Sequence, residues 1–507
     1  MEIAQYTEEL ELSERNVAII GAGFGGLAAA RYLKSQGFAP RIFEMHDEIG
    51  GQWNRHNENS GVWPEMRVNT ARFVTRLSDL QYPDGTAMFP RNTEVAELIN
   101  AFADLHGLRS HLELRAKVTR LAAAPEGGYD VTWESGGAAN SSTFDYAVVA
   151  TGRFNKPEIP DIPGLDCFTG ECGAIHAFHY KEPTEYRDKR IVVLGGSISA
   201  LEIASDLSMM GTKRVYMSQR RQRYVMPKMI AGTPLEYFAF TREGALEQER
   251  LPLDEVLANT KEFLLAYGGD PARYGAPPTH EDMALAGVAG SQHYLNLVAE
   301  DRIDVRPRIE SVFGNFVRFA DGSEVEADAI IVGTGFDLHL PFLSQEIAQT
   351  VKLNRKGMVL SDFTFHPDLE RLAFVGLWAQ LGPYPVVLEQ QARYIAYSWS
   401  GAISPSSSED LELGLSDCVA EYHHGDYRQQ HEMAIRFARL AGTDPEGYGD
   451  DEFQEILAKS AVTGEMFRIV GHDSLPDAEQ RVRDDFDKYG IPEVKKDIAA
   501  RFGKSGN

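Results

Sequence analysis

Cysteine is scarce in this chain: only Cys167, Cys172 and Cys418 occur among 507 residues. They form no CxxC pair and match no zinc-cluster spacing, which excludes a disulfide scaffold or a zinc module and predicts a reducing, cytoplasmic setting. Basic residues are also short, 50 Lys and Arg against 75 Asp and Glu, for a net charge of −25 and a pI of about 5.0. Such a field repels polyanions, so neither nucleic acid nor a membrane surface is expected as a partner. No apolar run reaches the roughly 18 residues of a membrane span. The early stretch TEELELSER lacks the basic and apolar regions of a signal peptide. His423 and His424 are neighbours on a helical pattern, diverge by about 100° and have no carboxylate–histidine spacing beside them, so no metal is predicted. What remains is ordinary globular composition, 43% hydrophobic and 25% charged, with length for two to four domains of roughly 100–200 residues each.

Two strand–turn–helix openings stand out. In the first, NVAII (16–20) runs into Gly21-Ala22-Gly23-Phe24-Gly25-Gly26 and the helical LAAARYLKSQG. Gly21 permits a tight turn, Gly23 leaves room for a pyrophosphate against backbone N–H groups, and Gly26 lets the helix approach the sheet. The helix N-terminus carries about half a positive charge for the anion. The next strand ends in Glu44, near the roughly 20-residue offset expected of a carboxylate that accepts from ribose hydroxyls. An adenine dinucleotide is therefore expected. Gly50-Gly51-Gln52-Trp53 resembles the GG-x-W element that follows the second strand in flavoproteins, which selects FAD over NAD; read alone, it is equally a surface turn.

The second opening begins about 175 residues later, where RIVVL (190–194) leads into Gly195-Gly196-Ser197-Ile198-Ser199-Ala200 and a helix ending near Gly211. Ser197 and Ala200 stand where the second and third glycines would be; both are small enough for phosphate approach. The following strand ends in Arg220-Arg221 instead of an acid, and guanidinium groups there suit a 2′-phosphate, which favours NADPH over NADH. A solvated basic pair is the bland alternative for these arginines. GGSIS also approaches the GxSxG nucleophile elbow of hydrolases, but the last glycine is missing.

With these two turns the chain resembles the flavin-containing monooxygenases, on their N-/S-oxygenating branch, over roughly residues 15–400. The specific segment is Phe168-Thr169-Gly170 followed by His176 and Tyr180, close to FxGxxxHxxxY, with two extra residues before His176. Tyrosine there marks the N-/S-oxygenating side and tryptophan the Baeyer–Villiger side. Further likeness lies in Asn69-Thr70 with Asp79, in the strand ends Ala150-Thr151-Gly152 and Gly333–Phe336, and in the closing segment with Pro385, Glu389, Gln391 and Arg393.

The resemblance implies an α/β fold of two Rossmann-like domains, the NADPH domain inserted into the FAD domain. The boundaries expected are 1–165 for the first part of the FAD domain and 166–324 for the NADPH domain, with a helical insertion over about 224–292 as a candidate lid. Residues 325–400 are expected to return to the FAD domain, the strand 328–336 entering its sheet, and 401–507 to form a peripheral helical extension, a candidate homo-oligomer contact. The implied activity is NADPH- and O2-dependent oxygenation of a soft nitrogen or sulfur in a small molecule through a flavin hydroperoxide. Asn69 is the expected catalytic donor to the peroxide, although its sequence context alone would suit a turn or cap. Thr70, Ser199 and Gln391 are further cofactor-binding candidates, and His176 is expected to bridge the domains. A Baeyer–Villiger enzyme acting on a ketone is one alternative; an NADPH oxidase or flavin carrier that transfers no oxygen is another. The lack of a CxxC pair argues against the dithiol reductases that share the two-dinucleotide layout.

Overall fold

The computed structural model describes residues 15–58, 60–424 and 428–502. The N-terminal stretch read against a signal peptide lies almost wholly outside these residues, and the side chains of His423 and His424 are outside them too. The described chain begins with β1 (Arg15–Ile20), turns through Gly21–Gly23 into α1 (Phe24–Ser35) and returns as β2 (Phe38–Phe43). β3 (Leu112–Glu113) and β4 (Tyr146–Val149) follow in the same sheet. A second sheet collects β5 (Gly173–His176), β6 (Arg190–Leu194), then, after α2 (Ile198–Met209), β7 (Arg214–Ser218), β8 (Ile303–Arg306) and β9 (Ala329–Val332). β10 (Leu372–Phe374) goes back to the first sheet and leads to the helix α3 (Pro385–Ser400).

The strand orders are β10-β4-β1-β2-β3 and β8-β7-β6-β9-β5, every neighbouring pair parallel. Parallel sheets need crossovers on both faces, so their strands are apolar throughout instead of alternating. β1 shows why: Val17 and Ile19 point into the core beneath α1, while Ala18 and Ile20 point into a separate core with Trp133, Phe144 and Leu372. β6 repeats the pattern, Ile191 and Val193 facing α2 and Val192 and Leu194 facing a three-stranded antiparallel sheet over residues 309–326.

Three expectations are corrected. The strand at 328–336 does not return to the first sheet: β9 pairs with β6 and β5, and the return is made by β10, with Phe374 opposite Val149. An apolar strand ending in Gly-Thr-Gly carries no record of which sheet receives it. The insertion at 224–292 is not purely helical, because Tyr224–Met226 pairs with Val288–Gly290 and Met229–Ile230 with Thr233–Pro234. The C-terminal extension is not peripheral. Its residues Phe437, Phe453, Phe467 and Phe486 enter the same core as α1 and α3. Arg468, nearly fully buried, donates from Nη1 to Asp79 Oδ1 at 2.7 Å and to Ser78 Oγ at 2.8 Å, and lies 3.6 Å from Glu389 Oε1. Among the described residues no helix is long and apolar enough to cross a membrane.

Candidate functional site

Ligands of parallel α/β sheets bind in the crevice beyond the carboxyl ends of the strands, and both glycine turns open there. Gly21 has φ +106°, and a Cβ on it would lie 2.6 Å from the Ala150 carbonyl oxygen at the end of β4. A Cβ on Gly26 would lie 1.8 Å from the Gly21 carbonyl oxygen, so only glycine lets α1 start this close to the turn. Gly51, at φ +57°, faces Gly23 so closely that its Cβ would be 3.2 Å from the Gly23 Cα. Backbone from two loops thus meets at the N-terminus of α1, where no side chain caps the helix. This is a cradle fitted to a pyrophosphate, and the residues present suit FAD.

Glu44 follows β2 and is buried; its Oε2 accepts from Ala22 N–H at 2.9 Å and its Oε1 from His46 N–H at 3.0 Å, which holds the carboxylate beside the turn. Gln52 braces the same loop, accepting from Gly61 N–H at 3.0 Å and donating to the Phe154 carbonyl at 3.1 Å. Trp53 packs half-buried against the core under α1.

The second turn is built alike. A Cβ on Gly195, at φ +137°, would lie 2.4 Å from the Gly333 carbonyl oxygen. Ala200 is fully buried, and a Cβ on Gly195 or Gly333 would lie 3.0 or 2.9 Å from its methyl, so it serves the approach of α2 to the sheet and presents nothing to a phosphate. Ser197 precedes α2 without capping it, and Ser199 is exposed on its first turn, leaving the helix N–H groups for an anion. Arg220 and Arg221 are exposed just past β7, and the Arg221 carbonyl lies 3.5 Å from where a Gly196 Cβ would be. The backbone at Arg221 therefore runs beside the second glycine turn.

Residues 176–183 join the two units. His176, at the end of β5, accepts at Nδ1 from Phe178 N–H at 3.3 Å, with Nε2 3.2 Å from the Gly335 carbonyl; burial lowers its pKa. Tyr180 is fully buried, donates to Asp206 on α2 at 3.1 Å and packs edge-on against Trp63. Lys181 reaches across to the Ser60 and Val62 carbonyls, both at 2.6 Å, and burial pushes its pKa down to about 8. The segment thus clamps the second unit to the loop that carries Gly51–Trp53.

Asn69 and Thr70 lie half-buried beyond that loop. Lys228, from the insertion, donates to Asn69 Oδ1 at 3.4 Å and sits 3.4 Å from Glu202 Oε2 on α2. An ammonium group only donates, so the Asn69 carbonyl faces it and the amide Nδ2 is left with no partner among the described residues. Thr70 Oγ1 shares a hydrogen bond with Thr75 Oγ1 at 2.7 Å. Ala71 N–H donates to Glu236 Oε1 at 2.8 Å; the other oxygen of this buried carboxyl has no partner, and burial pushes its pKa up to about 7. Neither Lys228 nor Glu236 belongs to a motif, and no sequence signal marked them.

The expected cofactor-binding residue Gln391, and Asp79 of the family-like segment, take structural parts. Gln391 is fully buried on α3; its amide donates to Thr364 Oγ1 and the Phe374 carbonyl, and its oxygen accepts from Gly376 N–H at 3.0 Å, so it braces the end of β10 and is not presented to a cofactor. Asp79 is held by Arg31, Arg468 and His106; burial alone would raise its pKa, but these partners hold it well below the ordinary carboxylate range.

A family model described as flavin-binding monooxygenase-like matches residues 14–428. Flavin-containing monooxygenase 3 of Rattus norvegicus is 27% identical over 78% of this chain and 76% of its own length. Flavin-containing monooxygenase 5 of Oryctolagus cuniculus is 28% identical over 98% and 95%. Among solved structures, S-allyl-L-cysteine S-oxygenase of Allium sativum superposes with a TM-score of 0.62 at 20% identity, covering 97% of this chain and 99% of its own. The open structure of cyclohexanone monooxygenase gives 0.63 at 17%, covering 85% and 98%.

Proposed function

The chain belongs to the flavin-binding monooxygenase-like family, is a flavin-dependent enzyme using FAD and NADPH, and from this we propose that it oxygenates a soft nitrogen or sulfur atom of a small molecule. Residues 15–150 with the strand β10 hold FAD in this reading, and residues 166–335 hold NADPH. Reduced FAD, when bound, supplies the electrons that activate O2. The protein's own task is then to orient two cofactors, keep out bulk water and donate a hydrogen bond to the oxygen being delivered.

The observation that carries the reading is the Asn69 carboxamide. Lys228 donates to its oxygen at 3.4 Å, which leaves Nδ2 as the donor to offer, on the loop between the two phosphate turns in sequence. Gly21, Gly23, Gly26, Glu44 and Gly51–Trp53 take FAD; Gly195, Ser197, Ser199, Arg220 and Arg221 take NADPH; Thr70 steadies the Asn69 turn through Thr75. Tyr180 in place of tryptophan supports the N-/S-oxygenating branch, as do relatives whose names specify N-oxide formation, such as dimethylaniline monooxygenase 2 of Rattus norvegicus, 28% identical. Likeness to cyclohexanone monooxygenase is a likeness of fold and brings no preference for ketones.

The test is product analysis with NADPH, O2 and separate amine, thioether and ketone substrates. Sulfoxide, N-oxide or hydroxylamine is expected; lactone or ester as the main product, or stoichiometric hydrogen peroxide with every substrate, overturns the reading. Asn69→Ala is expected to keep consuming NADPH while product per NADPH falls at least roughly tenfold and hydrogen peroxide takes its place, as for loss of one oriented donor. Unchanged coupling removes Asn69 from the chemistry.

A further inference from the structure

Arg153 follows β4 by four residues, in the crevice where the strands of the first sheet end, and is 8% exposed. Its Nε and Nη1 are fully buried with no hydrogen-bond partner, and no salt bridge or hydrogen bond among the described residues engages Nη2. The guanidinium's one neighbour of note is the Phe154 ring, 5.7 Å away. Buried arginines are paired with few exceptions, and each exception calls for an explanation. The surroundings supply one. Thr151 Oγ1 and Asn155 Oδ1, two residues to either side, are also buried and unpartnered. A Cβ on Gly152 or on Gly335 would meet nothing within 4 Å, so the space beside the turn is open. Phe154, 39% exposed, stands edge-on to Phe336 at 5.6 Å and to Tyr384 at 6.1 Å, and forms an apolar wall at the seam of the two units.

We propose that Arg153 binds a carboxylate carried by the substrate, so that the amine or thioether oxygenated here is an organic acid. This rests on the oxygenation reading above. The guanidinium fork matches a carboxylate in two parallel hydrogen bonds, and the aromatic wall beside it takes the apolar part of the molecule. A cofactor phosphate is the competing anion. Both cofactors already have phosphate donors in the glycine turns, their helix N-termini and Arg220-Arg221, which leaves Arg153 over.

The test uses the FAD-loaded full-length enzyme with methylthioacetate and its methyl ester as probes, in the wild type, Arg153→Gln and Arg153→Lys. The wild type is expected to prefer the acid. Arg153→Gln is expected to shrink the acid-to-ester ratio of kcat/KM by roughly 10–100-fold, the worth of a charge-assisted pair, through KM for the acid and not KM for NADPH. Arg153→Lys is expected to restore part of it, and turnover of the ester reports whether each variant folds. Equal use of acid and ester by the wild type overturns the proposal, as does an unchanged ratio in Arg153→Gln. A rise in KM for NADPH or loss of bound flavin with the ratio intact assigns the arginine to a cofactor phosphate and also overturns it. If both probes give only hydrogen peroxide, the oxygenation reading fails by itself, and calorimetric binding then decides the arginine. Acid bound by the wild type and lost in Arg153→Gln upholds the carboxylate site; acid bound by neither, or equally by both, overturns it.

Discussion

Glu236 has one carboxyl oxygen bonded to Ala71 N–H and the other buried without a partner. Its folded-state pKa of about 7 stands above the ordinary 4.5. Between these values the folded chain keeps a proton that the unfolded chain has released, so stability is full below about pH 4.5 and declines as pH rises toward 7. Glu236→Gln keeps an acceptor for Ala71 and has no charge to develop. It is expected to be more stable than the wild type at pH 8 by about 3 kcal/mol and to show a flatter profile of thermal midpoint against pH. Parallel profiles would show that the carboxyl ionises freely in the fold. Residues such as Glu236, Lys228 and Arg153 were illegible in the sequence because a lone charged side chain reads the same on a surface as in a cleft. Asn69 was legible through its family segment, but its orienting partner, 159 residues further on, was not.

At the scale of elements, the phosphate turns were the clearest part of the sequence. A glycine forced by a carbonyl 1.8 to 2.6 Å from its would-be Cβ, and at Gly21 and Gly195 also by a positive φ, has no substitute, so the pattern survives as text. The strand end carrying Arg220 and Arg221 follows the same logic with charge. Changing both to Ala is expected to raise KM for NADPH roughly tenfold or more while KM for NADH moves little, since the lost pairs are to the 2′-phosphate alone. Equal effects on the two nucleotides would make them solvated surface charges. Gln391 and β9 were misread for one shared reason: a buried amide and a parallel strand are both defined by what lies next to them, and the local sequence does not contain the neighbour. Gln391 looks like a ligand until Thr364, Phe374 and Gly376 are placed around it.

Across the whole molecule, the C-terminal segment closes over the first unit through buried ions. Arg468 lies among Asp79, Glu389 and Asp473, and Arg393 donates to the Phe467 carbonyl at 2.7 Å. Burial pushes the Glu389 carboxyl up despite Arg468, while His106, Arg468 and Arg31 keep Asp79 ionised. Asp79 keeps Arg31 and His106 when the shared cation is removed, but Glu389 is left buried with only the neutral donors of Tyr32 and Ser78, so Arg468→Met is expected to cost about 3–5 kcal/mol in denaturant unfolding. A loss under about 1 kcal/mol would mean that water or a neighbour takes over the pairing. The sequence by itself determined two dinucleotide turns, the cofactors they serve and the family, because each rests on residues adjacent in the chain whose backbone geometry admits few alternatives. Only the tertiary structure decided which sheet receives β9, that Phe437, Phe453, Phe467 and Phe486 of the C-terminal segment enter the core, and that the Arg153 guanidinium is buried without a partner for Nε and Nη1, because burial and pairing arise between segments that the chain keeps far apart.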